Sequence, residues 1–191
     1  MSKKILFTFV VLLLTLTLVG CKKDFNFEKA FNDKNNYEVS VEVIMNSTVE
    51  ANVELKFDGN KSSFTDENES FIFVKNENKV TTYEKAGETW KKSDETLAKN
   101  DKFAFYLSFK NEMFIQSENK GEYNLKEESL EEFNKYFKLN LENYKVESIK
   151  VVVEKGLIKT INIELTSLSH DLEMILNFSN YNKVTIEVPT I

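Results

Sequence analysis

Residues 37–57 constrain the fold of this chain more than any other stretch. Tyr37, Val39, Val41 and Val43 alternate with Glu38, Ser40 and Glu42. After a short gap, Ala51, Val53, Leu55 and Phe57 alternate with Glu50, Asn52, Glu54 and Lys56. A period of two puts apolar side chains on one face of a strand and charges on the other, so the pattern demands a sheet with one wet side. Asp58-Gly59 supplies a turn, and "KSSFT", "SFIFVK", "KVTTYEK" and "ETWKKS" continue the series with "KNEN" and "KAGE" as turns. This predicts an antiparallel meander of about six strands.

The last third returns to the same pattern. "YKVESIKVVVEKGLIKTINIELTSL" predicts a hairpin turning at Glu154-Lys155-Gly156. "DLEMILNFSNYNKVTIEVP" predicts two final strands, the first with Leu172, Met174, Leu176 and Phe178 on one face, the second carrying Val184, Ile186 and Val188. Between the two blocks the pattern is mixed. Residues 126–140 form the clearest helix, with Leu130, Phe133 and Phe137 as its apolar stripe. A short helix is expected over 25–36, from Phe27, Ala30 and Phe31, and a helix or turn over 93–100 with Ser93 as N-cap. "KFAFYLSFK" puts Phe103, Phe105, Leu107 and Phe109 on one strand face, with a helix as the alternative; "MFIQSENKGEYNL" fits another hairpin. The expected class is α+β, a curved antiparallel sheet wrapped over one or two helices.

The first residues read as a secretory leader. Lys3 and Lys4 precede an apolar run from Ile5 to Val19, short for a membrane span, and Gly20 stands before Cys21. "LVGC", Leu18 to Cys21, resembles the bacterial lipobox. That resemblance implies cleavage after Gly20, a diacylglycerol thioether on Cys21, and a lipid-anchored protein on the extracytoplasmic face of a cell membrane. Acyl chains contribute roughly 0.8 kcal/mol per buried methylene, so two or three hold a protein stably. The expected organisation is a leader over 1–20, a lipidated tether over 21–26 and one domain over 27–191. Cys21 is the only cysteine, so the domain has no disulfide and relies on its core. The tether keeps that domain within about 20 Å of the bilayer.

Composition removes several functions. All 25 basic residues are lysine, which excludes bidentate guanidinium capture of phosphate or carboxylate. A net charge of −6 without a basic stripe disfavours nucleic acid. Ser169-His170-Asp171 has the residue types of a hydrolytic triad, but sequence neighbours cannot converge as a triad does. His170 is the only histidine, so a zinc site is not expected. Asp66-Glu67-Glu69 falls in a turn without calcium-loop spacing, and Glu127-Glu128-Glu131-Glu132 decorates a helix. No glycine-rich phosphate loop is present, and no enzyme activity, metal or cofactor is expected.

The order of elements resembles the lipoprotein-carrier superfamily of LolA and the LppX/LprG-type lipoproteins. The stretches that carry the resemblance are "FEKAFNDKNNYEVSVEV", "VKNENKVTTYEKAGETW", "VEKGLIKTINIEL" and "LNFSNYNKVTIEVP", the last with Ser179, Tyr181, Asn182, Val184, Ile186 and Pro189. The resemblance implies an open half-barrel, helices plugging its concave side, and a cavity for acyl chains. The chain's lipobox departs from the soluble shuttles, and its lack of arginine departs from a carrier's cavity arginine. Sixteen Phe, seven Tyr and one Trp supply the apolar surface. Phe57, Phe71, Phe73, Trp90, Phe103, Phe105, Phe109, Phe133 and Phe137 are the candidates to line such a cavity or to fill a solid core. The expected function is binding of a lipid or other hydrophobic ligand, with lipid or lipoprotein transport as its use. The alternative is a protein-interaction or envelope-sensing module with a filled core and no ligand.

Overall fold

The computed structural model describes residues 25–30, 36–97, 105–138 and 144–191. Six strands run as a meander: β1 (Asn36–Met45), β2 (Thr48–Asp58), β3 (Lys61–Thr65), β4 (Ser70–Asn76), β5 (Lys79–Ala86) and β6 (Thr89–Lys92). A two-residue β7 (Thr96–Leu97) pairs with β5 on the same edge as β6. The second block comprises β8 (Phe114–Gln116), β9 (Glu122–Leu125), β10 (Lys145–Glu154), β11 (Leu157–Thr166) and β12 (Asp171–Ser179). The main path of the sheet runs β6-β5-β4-β3-β2-β1-β12-β11-β10-β9-β8, antiparallel throughout. It is one curved sheet that does not close. The two meanders are joined in the sheet by the pairing of β1 with β12, from Glu38 opposite Ser179 to Met45 opposite Leu172.

Helical structure is sparse. α1 is a single turn (Phe27–Ala30), α2 spans Leu130–Lys138, and three 3-10 turns lie at Phe105–Ser108, Asn111–Met113 and Glu127–Ser129. The fold is mostly sheet, and among the described residues α2, with nine residues, is the one helix longer than a single turn, within the one or two expected.

Cross-strand register sorts the side chains onto two faces. On the inner face, Val41, Leu176, Ile161, Val151 and Tyr123 form one row across five strands, each at most 8% exposed. Phe109, Met113 and Phe114 from the segment before β9, Phe27 from α1 and Phe133 from α2 pack on this half of the sheet. Phe27 and Phe114 stack at 4.3 Å, and Phe109 meets Phe133 edge-on at 5.4 Å. Asn134 fastens α2 to the sheet: its Oδ1 accepts from Val146 N–H at 2.6 Å and its amide donates to Val146 C=O at 3.3 Å.

Three local expectations need correction. Residues 105–108 are 3-10 helix, not strand; Tyr106 and Phe109, three apart, are buried while Leu107 is 54% exposed. Aromatic residues at nearly every second position also fit a three-residue period, and burial against Tyr37 and Phe178 decides between them. The expected helix or turn at Ser93 is instead a continuation of the sheet edge. Ser93 N–H donates to Thr82 C=O, and Thr82 N–H donates to Ser93 Oγ. The final strand expected at Val184–Val188 is not a strand. The tail crosses the outer face, held by side chains: Asn36 bonds both N–H and C=O of Val184, Asp58 accepts from Ile186 N–H, and Lys61 donates to Ile186 C=O. The expected 25–36 helix is described only as α1, and residues 31–35 lie outside the described residues.

Candidate functional site

The row Phe178–Val39–Leu55–Phe64–Phe71 runs along the inner face from the second block into the wing formed by β2–β5. Burial falls along it. Phe178, Val39 and Leu55 are at most 4% exposed, Phe64 and Phe71 are half-buried, and the next cross-strand neighbour, Glu84, is exposed. In a parallel row, Tyr37–Phe57–Ser62–Phe73–Thr82, Tyr37 is buried and the other four are partly buried. Tyr37 and Phe57 stack at 4.8 Å, Phe64 and Phe71 lie 6.1 Å apart, and Phe71 and Phe73 stack at 6.1 Å. The wing therefore presents four phenylalanines in two adjacent rows, only partly covered, beside a fully packed core.

The candidates from the sequence separate into distinct environments. Phe57, Phe71 and Phe73 belong to this face. Phe109 and Phe133 are 2% and 3% exposed and fill the core. Trp90 lies on the opposite face, where it packs with Ile72, Val74 and Tyr83 beneath Val184 and Ile186 of the tail. Phe103 lies outside the described residues, as does Cys21 with the leader; Phe105 and Phe137 are described by backbone alone, in the first 3-10 turn and in α2. Phe64 was not among the candidates. Its signal was its place in "KSSFT", but the weak alternation there gave no reason to rank it.

Polar groups near the rows are few. Tyr37 and Tyr106 share a buried hydrogen bond between hydroxyls at 3.1 Å. Tyr181 donates to Ile158 C=O at 2.9 Å, and burial, with Tyr37 beside it, pushes its hydroxyl far above the ordinary tyrosine range. On the outer face a shallow open hollow is bordered by Ser40, Glu54, Thr65 and Asp66. Asp66 caps its own turn, accepting from Asn68 and Glu69 N–H. Ser169 bonds His170 Nδ1 at 2.6 Å, whereas the Asp171 carboxylate accepts from Thr166 on the neighbouring strand, so the three do not form a relay. Among the described residues no group of three or more His, Cys, Asp or Glu is placed to hold a metal ion. No described helix is long and apolar enough to cross a membrane.

Neither a protein-family model nor a curated protein matches the chain.

Proposed function

We propose that the protein is a membrane-anchored extracytoplasmic lipoprotein that binds a lipid or similar amphiphile along its phenylalanine face. The resemblance to LolA and the LppX/LprG-type lipoproteins motivates the reading. One observation carries it: the apolar rows of the inner face continue past the packed core, and Phe57, Phe64, Phe71 and Phe73 are only partly buried there. An acyl chain lying across these rings would remove apolar area from water at roughly 25 cal/mol per Å². No charged side chain stands within either row before Glu84, so the chain would meet no unpaired ion. Lipidation at Cys21 would hold this face near its ligand and raise the effective concentration.

Native mass spectrometry of the protein purified from membranes, with lipid extraction, tests the reading. A bound lipid released by Phe71→Asp supports it. Protein that is empty in the wild type and takes up no fatty acid or phospholipid overturns it.

A second reading, a protein-interaction or envelope-sensing module, is favoured by one observation: Tyr106, Phe109 and Phe133 fill the space between helices and sheet. Crosslinking in cells to a stoichiometric protein partner, with no lipid recovered, selects it.

A further inference from the structure

Three polar side chains stand in one cross-strand row on the outer face, where the tail crosses. Asn36 is opposite Asp58, and Asp58 is opposite Lys61. They hold one another: Asn36 Nδ2 donates to Asp58 Oδ1 at 3.0 Å, and Lys61 Nζ lies 3.9 Å from Asp58 Oδ2. Together they meet the N–H and C=O of both Val184 and Ile186. Asn36 bonds both groups of Val184 at 2.8 Å, Asp58 accepts from Ile186 N–H at 3.1 Å, and Lys61 donates to Ile186 C=O at 2.9 Å. This clamp reads main chain and sets no requirement on side chains. The requirement comes from the floor beside it. Val184 and Ile186 are buried over Ile72, with Val74, Tyr83 and Trp90 packed around them, while Thr185 and Glu187 are exposed.

We infer that this face is a recognition site for an extended peptide of another protein, and that the chain's own tail is its resident occupant. Main-chain hydrogen bonds combined with pockets for alternate side chains are the general pattern by which extended peptides are bound. The tail shows the chemistry that fits: aliphatic, β-branched side chains two residues apart, with polar residues free to vary between them. A charge at either aliphatic position would be buried without a partner. Two features make the tail replaceable. It is the end of the chain, and no described strand pairs with residues 183–191, so it leaves without breaking a ladder. The cluster it covers is separate from the main core, so its departure leaves Val39, Ile161 and Phe178 packed. The lipid reading concerns the opposite face, and this inference stands without it.

The test uses the full chain and a fluorescent peptide of residues 183–191, followed by anisotropy. A full-length variant with Val184→Asp and Ile186→Asp releases its own tail and leaves the clamp intact. The peptide should bind this variant at least about tenfold more tightly than wild type, whose tail competes at a high effective concentration. A peptide carrying the same two substitutions should not bind. Adding Lys61→Met to the released-tail variant should weaken binding about tenfold or more, as loss of a charged hydrogen bond does. Hydrogen exchange gives a second readout in the wild type. Peptide in excess of the tail's effective concentration should quicken exchange at 184–188 and leave β3–β6 protected. Unchanged exchange there overturns the inference. So does a released-tail variant that keeps β10–β12 protected and binds no peptide, binding indifferent to Lys61→Met, or equal binding of a scrambled peptide. Dimers joined through their tails that the peptide cannot dissociate overturn it in favour of a second copy.

Discussion

Two asparagines act as substitutes for backbone. Asn36 and Asn134 each offer a carbonyl oxygen and an amide to a valine, Val184 and Val146, and each satisfies that valine's N–H and C=O together. An amide side chain carries the donor and the acceptor on adjacent atoms, as a peptide group does. Asn36→Asp should therefore destabilise the protein more than Asn36→Ala at neutral pH, because a carboxylate would face Val184 C=O. Chemical denaturation should show a loss of about 1–3 kcal/mol for the alanine variant. Gly121 is a second constrained position. Its φ is +85°, and an added Cβ would lie 2.5 Å from Val153 C=O, whose own N–H donates to Gly121 C=O. Tyr181 gives the fold an alkaline limit. Its hydroxyl stays protonated in the fold beyond the ordinary value of 10.0, so above that pH the unfolded chain binds fewer protons than the folded one. Stability should be unaffected by this group below about pH 10 and fall as pH rises above it. Tyr181→Phe should flatten the decline in a melting-temperature series, at the cost of the bond to Ile158.

At the scale of elements, long alternating runs were legible and short aromatic ones were not. The periodicity of residues 37–43 and 51–57 corresponds to β1 and β2, and Glu154-Lys155-Gly156 is the β10–β11 turn. The run "KFAFYLSFK" fits periods of two and three alike, and only contact with Tyr37 and Phe178 resolves it. The tail alternates as well as any strand, but β12, which leads into it, is already paired on both edges by β1 and β11, and the tail docks across a face. The candidate site was half legible for a related reason. Composition announced many phenylalanines, but only strand register separates Phe71 and Phe73 from Trp90 on the other side. These environments carry different energetic expectations. Phe133→Ala, in the packed core, should cost about 3–5 kcal/mol in chemical denaturation. Phe71→Ala, at a partly buried position, should cost less than about 2 kcal/mol while weakening any lipid retention. Ser47→Gly should raise stability by roughly 0.5–1 kcal/mol, because the left-handed conformation suits glycine.

Across the whole molecule, the outer face of the wing depends on the last residues of the chain. Val184 and Ile186 are 8% and 5% exposed over Ile72, and Val74, Tyr83 and Trp90 pack against them. Deleting residues 183–191 should expose that cluster. Hydrogen exchange should then quicken in β3–β6 while β10–β12 remain protected. The inner face depends on a different long-range contact, the pairing of the first long strand with the last. A chain growing from its N-terminus cannot complete the row through Val39 until Phe178 has emerged. Until residue 178 is available one edge of β1 is bare, so the inner face is completed only when both ends of the chain have been brought together.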